Sequence, residues 1–233
     1  MKNFNKTEDS ESQWLPISDL MSVLMMVFLL ISISYMLKVF SEKEKIQEIA
    51  VTYNKLQNEL YNDLNKEFKE DLKIWDAEID KATLSVRFKS PEILFNIGSA
   101  KLKPKFKKIL DNFFPRFISI IHKDVYRDDI DEIRIEGHTS SYWRLNTPDS
   151  ESYIYNMELS QNRTRNVLDH VLNKEVDEVL VSWIRLNVTA NGLSSSKIIF
   201  NKDGSENRNL SRRVEFRVKT NAEKRISKIL AEE

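Results

Sequence analysis

Two residues in this sequence carry side chains that their surroundings make chemically unusual. Asp19 is the one charged residue in LPISDLMSVLMMVFLLISISYML, which runs from Leu15 to Leu37. A carboxylate inside a bilayer-spanning helix costs about 2.5–3.5 kcal/mol on insertion scales, so acids retained there tend to mark ion paths. The competing reading sets Asp19 at the lipid headgroups as a helix N-cap or first-turn acid. Ser18 and Ser22 flank it, close enough on a helix to hydrogen-bond it or help pass a hydrated ion. The second residue is Arg163, four positions after Leu159 and seven after Asn156. On a helix that spacing puts all three on one face. A guanidinium fork there suits a ligand carboxylate, which it grips through parallel N–H donors. The plainer reading of Arg163 is a solvent-facing helix arginine.

Other chemistries find little support. Cysteine is absent, which removes disulfides, thiolate metal sites and cysteine nucleophiles. The three histidines, His122, His138 and His170, lack the spacing of a metal motif. Four glycines leave no room for a P-loop or a dinucleotide-binding loop. Basic and acidic residues number 36 each, without the cationic surplus that a general nucleic-acid binder needs. Lys101, Lys103, Lys105, Lys107 and Lys108 lack interleaved aromatics and read as a solvated face. The expectation is a chain with no catalytic residue, no metal, no cofactor and no nucleic-acid partner.

The elements that must position Asp19 and Arg163 follow from patterning. Residues 15–39 read as a transmembrane helix, since the 23 residues from Leu15 to Leu37 alone span about 35 Å as a helix against a hydrocarbon core of about 30 Å. A cleaved signal peptide would have a basic leader and a small-residue cleavage site, whereas residues 1–14 mix both charges. Lysine counts on the two sides are nearly tied and do not orient the helix. Residues 40–81 read as a helical linker, with Ile46, Ile49, Tyr53, Leu56 and Leu60 in one stripe until Asp63 interrupts it. That stripe suits either pairing with a second copy or packing on the chain's own domain. Residues 82–220 read as an α+β domain in the order β-α-β-α-β-β. Its first helix buries Phe106, Ile109, Leu110, Phe113 and Phe114, and Pro115 is expected to kink or divide it. Its second helix, from Tyr155, is expected to bury Leu159, Val167, Leu168, Val171 and Leu172. Strands are expected near 185–190 and 212–218. Residues 221–233 read as a surface helix or frayed end.

With the elements in place, a resemblance becomes specific. LFNIGSAKLKP, IRIEGHTS, YNMELSQNRTRNVLDHVL and SRRVEFRV occur in the order found in OmpA-like peptidoglycan-binding domains, over roughly residues 84–219. PISDLMSVLMMVFLLIS resembles the start of MotB-type stator subunits, where an aspartate opens the single transmembrane helix. The GHTSS sequence, the long loop after it and the brief linker resemble the MotB-like subunits of Zorya phage-defence systems in particular. The resemblance implies an inner-membrane protein with a cytoplasmic N-terminus and a periplasmic domain on peptidoglycan. It implies a homodimer inside a MotA-like, multi-pass ring (ZorA-like in Zorya systems, a pentamer), with Asp19 carrying H+, or Na+, across the membrane. Arg163 would grip a carboxylate of the stem peptide, Asn156 would hydrogen-bond it or order the pocket, and Tyr155 and Leu159 would wall it. Thr139 and His138 remain from the family's GHTD motif, and Arg212 or Arg213 would close the site.

Two departures stand out. Ser140 replaces the aspartate of GHTD, and Ser211 replaces the asparagine of NRRV. Loss of that carboxylate removes a charge-assisted contact of a kind worth about 1.5–3 kcal/mol. The stretch 140–155, with Tyr142 and Trp143, reads either as a cover for the pocket or as a surface insertion. Alternative functions are a flagellar-type stator subunit and a static membrane-to-wall tether in which Asp19 only caps a helix. A TolR- or ExbD-like coupler would lack the GHT, LSxxR and RRV series.

Overall fold

The computed structural model describes residues 8–173, 177–222, 224, 226 and 227. The first half of the expected 1–14 tail and most of the 221–233 tail lie outside the described residues. The described chain divides into two compact units, the boundary along the chain falling between Val51 and Thr52. One helix, α1 (Glu8–Trp75), contributes to both.

In the first unit α1 is the one described helix long and apolar enough to cross a membrane. Its side chains Leu20, Met21, Met25, Met26 and Phe28 are each more than half exposed in the single chain. Asp19 stands eleven residues past the start of α1 at Glu8, so it is neither an N-cap nor a first-turn acid. Ser22 Oγ donates to the Ser18 carbonyl at 2.8 Å, which directs that hydroxyl to the backbone rather than to Asp19.

The second unit begins thirty residues earlier than the expected domain start at 82. Leu56, Leu60, Leu64, Phe68, Leu72 and Trp75 of α1 are buried in its core. Of the two readings of the stripe, packing on the chain's own domain holds from Leu56 onward. Asp63 interrupts the stripe because it lies beside it, paired with Lys123 at 2.8 Å and accepting from the Tyr126 hydroxyl at 3.1 Å. The supposed linker also contains a strand, β1 (Ala77–Asp80), which forms an antiparallel pair with β2 (Ser85–Phe88).

After a short α2 (Pro91–Leu94) comes α3 (Pro104–Ile121), then β3 (Ile130–His138), α4 (Asp149–Leu172), α5 (Glu178–Asn187), β4 (Val188–Gly192), α6 (Arg208–Ser211) and β5 (Arg213–Thr220). The sheet order is β1-β2-β5-β3-β4, antiparallel except for the β3–β4 pair. β4 begins later than expected because Asp177 caps a helix there, its side chain accepting from Val179 N. The i, i+3, i+4 set Leu180, Trp183 and Ile184 carried that signal, and it outweighed the β-branched composition.

Alternation along the strands puts Val86, Phe88, Ile133, Ile135, Val214, Phe216 and Val218 on one buried face. Phe113 of α3 packs at the centre of this layer, with ring centroids 5.2 Å from Phe68, 5.2 Å from Phe88 and 5.0 Å from Phe216. The five residues expected on the buried side of α3 are all there. Pro115 neither divides nor ends α3, which is continuous. An interior proline costs about 3 kcal/mol, but Phe113, Phe114, Phe117 and Ile118 around it are all buried. At about 1.5–3 kcal/mol for each such side chain, packing outweighs the lost hydrogen bond.

α4 lies unusually close to the sheet. A Cβ on Gly137 would stand 2.7 Å from Thr164 Cγ2, and one on Gly192 would stand 2.7 Å from both Gln161 Cα and Ser160 Oγ. Gly137 and Gly192 are register partners on β3 and β4, so two glycines side by side form the seat of α4. Gly192→Ala is therefore expected to cost about 1–3 kcal/mol as overpacking against a helix backbone that has little room to yield. Thermal unfolding of the purified chain, followed by circular dichroism, should show a midpoint several degrees lower.

Candidate functional site

The buried face of α4 is polar in its first half: Ser152, Asn156, Ser160 and Thr164 precede Val167 and Val171. Leu159, Leu168 and Leu172, expected to be buried, are only half-buried. The glycine seat explains the small side chains at Ser160 and Thr164, because only such residues fit between α4 and the ends of β3 and β4. Thr139, the last residue of GHT, is tied to this face through Ser194. Thr139 N donates to Ser194 O at 2.9 Å, Ser194 N donates to Ser160 Oγ at 3.0 Å, and Ser194 Oγ donates to Tyr153 O at 2.7 Å. Ser194 holds a left-handed φ of +50°, a strained state for a residue with a Cβ. Thr139 Oγ1 and Asn156 Nδ2 are buried without a hydrogen-bond partner among the described residues.

Arg163 projects toward the loop formed by NIGSA. Its Nε donates to Ser99 O at 3.0 Å, its Nη2 reaches Asn96 O at 3.4 Å, and its guanidinium lies 4.7 Å from the centre of the Phe95 ring. Asn166 Nδ2 donates to Ala100 O at 2.9 Å, which docks the same loop on α4. Every acceptor on Arg163 is a neutral carbonyl, and among the described residues no carboxylate pairs with it. Burial, with Arg212 nearby, pushes its pKa down to about 10. It remains charged at neutral pH, so the cation is held beside a second cation with no counter-charge from the described protein.

The six residues expected at the site separate into two groups. Thr139, Asn156, Leu159 and Arg163 lie around the helix face and the Ser194 node, with Tyr155 exposed at their edge. Arg213 does not belong there. Strand alternation turns it to the opposite face of β5, where its Nε donates to Glu215 Oε1 at 2.5 Å and its Nη1 donates to the carbonyls of Lys197 and Ser211. Of the two arginines in RRV, Arg212 is the one whose charge reaches Arg163. Ser211 is fully buried, and its hydroxyl accepts from Ile199 N at 2.9 Å, so it braces a loop. Sequence reading missed Glu206. Its carboxylate accepts from Ser141 N at 2.9 Å and Ser141 Oγ at 2.6 Å, next to the position where GHTD carries its acid. Sixty-five residues separate Glu206 from Ser141, and no local pattern announces such a pairing.

The far face of the sheet holds a buried ionic cluster of Glu215, Arg213, Arg87, Glu136 and His138. The ligand atoms of Glu136, His138 and Glu215 lie within 4.8 Å of one another. Arg213 and Arg87 already bond Glu215, Arg87 Nε at 2.8 Å, so a metal ion there would sit against two guanidiniums. The arrangement is an ion network. Burial opposes the charge on Glu215, but Arg213 and Arg87 outweigh it and hold the carboxyl at about 2. Burial also pushes His138 down, against the opposing pull of Glu136.

These shifts have the same sign for stability. Both groups bind protons more readily in the unfolded chain, so acid favours unfolding. The His138 contribution is complete above its ordinary pKa of 6.5 and fades below it. The Glu215 contribution is complete above 4.5 and is lost toward pH 2. The unfolding midpoint should thus fall in two steps as pH drops from 8 to 3. His138→Gln should remove the upper step and leave the lower one.

Residues 94–213, just over half of the chain, match the OmpA family. The Zorya protein ZorB of Escherichia coli is 50% identical over 231 residues, which covers 99% of this chain and 97% of that protein. Among solved structures, a MotB-like protein from Desulfovibrio vulgaris is 22% identical, covering 76% of this chain and 94% of that one with a TM-score of 0.48. The cell wall anchor of the T6SS from Pseudomonas aeruginosa is also 22% identical, covering 67% and 96% with a TM-score of 0.44. On the strength of the near full-length identity and the OmpA match across the Arg163 site, this chain belongs to the ZorB family of Zorya proteins and carries an OmpA-family domain.

Proposed function

We propose that two copies of this chain form the wall-anchored axis of an ion-driven motor that acts in phage defence. α1 crosses the inner membrane with its N-terminus in the cytoplasm, inside a pentameric ring of MotA-like (ZorA-like) multi-pass subunits. Asp19 of each copy takes up an ion from the periplasmic side, H+ in the favoured case and Na+ in the alternative, and releases it to the cytoplasm. One charge moved through 100 mV yields about 2.3 kcal/mol, enough to drive the ring in steps around the dimer. The chain itself makes and breaks no covalent bond.

The observation that carries this reading is Arg163, a partly desolvated cation with no carboxylate partner among the described residues. A stem-peptide diamino acid supplies that missing carboxylate, and it also carries an ammonium. Glu206, held by Ser141, offers the ammonium an acceptor from a different part of the chain than the GHTD aspartate. Asn156 Nδ2 and Thr139 Oγ1 have unused hydrogen-bonding capacity for the peptide backbone. Grip on the wall holds the dimer still so that rotation of the ring does work. The test is phage plaquing on cells carrying the complete locus, with wild type, Asp19→Asn and Arg163→Ala at equal expression. Protection by wild type and loss in both variants is the expected result. Full protection with Asp19→Asn would leave only a tether.

A further inference from the structure

The loop between β3 and α4 carries more aromatic surface than a connection requires. Trp143 stacks on Tyr155, with centroids 5.4 Å apart and planes 30° apart. Tyr155 is 43% exposed. The Arg144 guanidinium lies 5.8 Å from the Trp143 ring centre, and Arg208 lies 4.7 Å from that of Tyr142. The two hydrogen bonds from Ser141 to Glu206 fix the start of the loop, and the Thr139–Ser194 bond fixes the strand end before it. The loop is thus tied at its start, and it lays Trp143 against Tyr155 of α4 at the surface rather than in the core. An ordered aromatic pair rimmed by polar donors is a mark of a binding surface.

We infer that Trp143 and Tyr155 form a shelf on which a pyranose ring of the peptidoglycan glycan strand packs. This rests on the reading of Arg163 as the stem-peptide site and assigns that site a second, saccharide half. Two observations select a sugar. A pyranose presents a face of C–H bonds that packs on an aromatic ring, while its hydroxyl edge meets a donor such as Arg144. The spacing also fits. Tyr155 precedes Arg163 by eight residues on α4, which is about 12 Å along the axis. The two residues and the lactyl link between the third stem residue and its sugar, fully extended, reach about 10–11 Å. That reach is about 1–2 Å short of the axial rise, a gap covered by the lengths of the Arg163 and Tyr155 side chains, so a diamino acid held by Arg163 leaves its sugar at the aromatic pair.

The test uses the full-length chain in detergent and isothermal titration with two probes, a disaccharide–tripeptide muropeptide and the same tripeptide without sugars. Wild type should bind the muropeptide about tenfold more tightly than the peptide. Trp143→Ala should abolish that difference while leaving peptide affinity unchanged, and Trp143→Phe should restore most of it. If sugars add nothing for wild type, or if Trp143→Ala weakens both probes equally, the shelf is overturned and the peptide site stands. Binding of neither probe to wild type would overturn the shelf together with the reading it rests on.

Discussion

Asp19→Asn should return phage plaquing to the level seen on cells lacking the locus, while leaving the amount of protein in the membrane unchanged or slightly raised. The substitution keeps side-chain shape and removes only the exchangeable charge. Insertion cannot be the cause of a loss, since replacing a carboxylate in an apolar run relieves a cost of about 2.5–3.5 kcal/mol. Capping cannot be the cause either, because α1 starts eleven residues before Asp19. What remains is the ability to load and release an ion. Asp19→Glu keeps that ability but moves the carboxylate by one methylene, and partial protection is expected. A membrane-level immunoblot alongside the plaque counts separates function from abundance. Protection undiminished by Asp19→Asn would remove the ion path.

Arg163→Ala should separate binding from stability in a way that a structural arginine would not. Hydrogen bonds to a charged partner contribute about 1.5–3 kcal/mol, so affinity for the tripeptide probe should fall about ten- to hundredfold. Arg163→Lys keeps the charge but loses the fork, and it should recover only part of the affinity. Stability is expected to move the other way. The guanidinium is desolvated, faces Arg212 and bonds only neutral carbonyls among the described residues. Removing it relieves that strain at the expense of two hydrogen bonds and the stacking on Phe95. The unfolding midpoint should stay level or rise slightly, the behaviour of a residue retained for function at some cost to the fold. A large fall in midpoint with unchanged affinity would mark Arg163 as a loop brace and remove the basis for a wall-binding site.

The elements that could be read from the sequence were those with a strong local period. The α3 face from Phe106 to Phe114 and the alternation of β2, β3 and β5 lie where patterning puts them. α5 was missed because three β-branched residues and a tryptophan outweighed the Asp177 cap in a short segment. The boundary at 82 failed for a different reason. Charged residues of α1 after Val51 look like linker, yet their apolar partners at four-residue spacing find a core only once the sheet is present.

The sequence by itself determined the chemistry: an aspartate within an apolar helix, an arginine on a helix face with Asn156 and Leu159, and no cysteine, metal motif or phosphate loop. Those are matters of residue type and local spacing, which the chain carries without its fold. Only the tertiary structure decided which arginine of RRV faces the site, because strand alternation turns Arg213 into the Glu215 cluster and leaves Arg212 beside Arg163. It alone joined Glu206 to Ser141 and seated α4 on Gly137 and Gly192. Contacts between residues dozens of positions apart depend on sheet register and helix approach, and no local period records them.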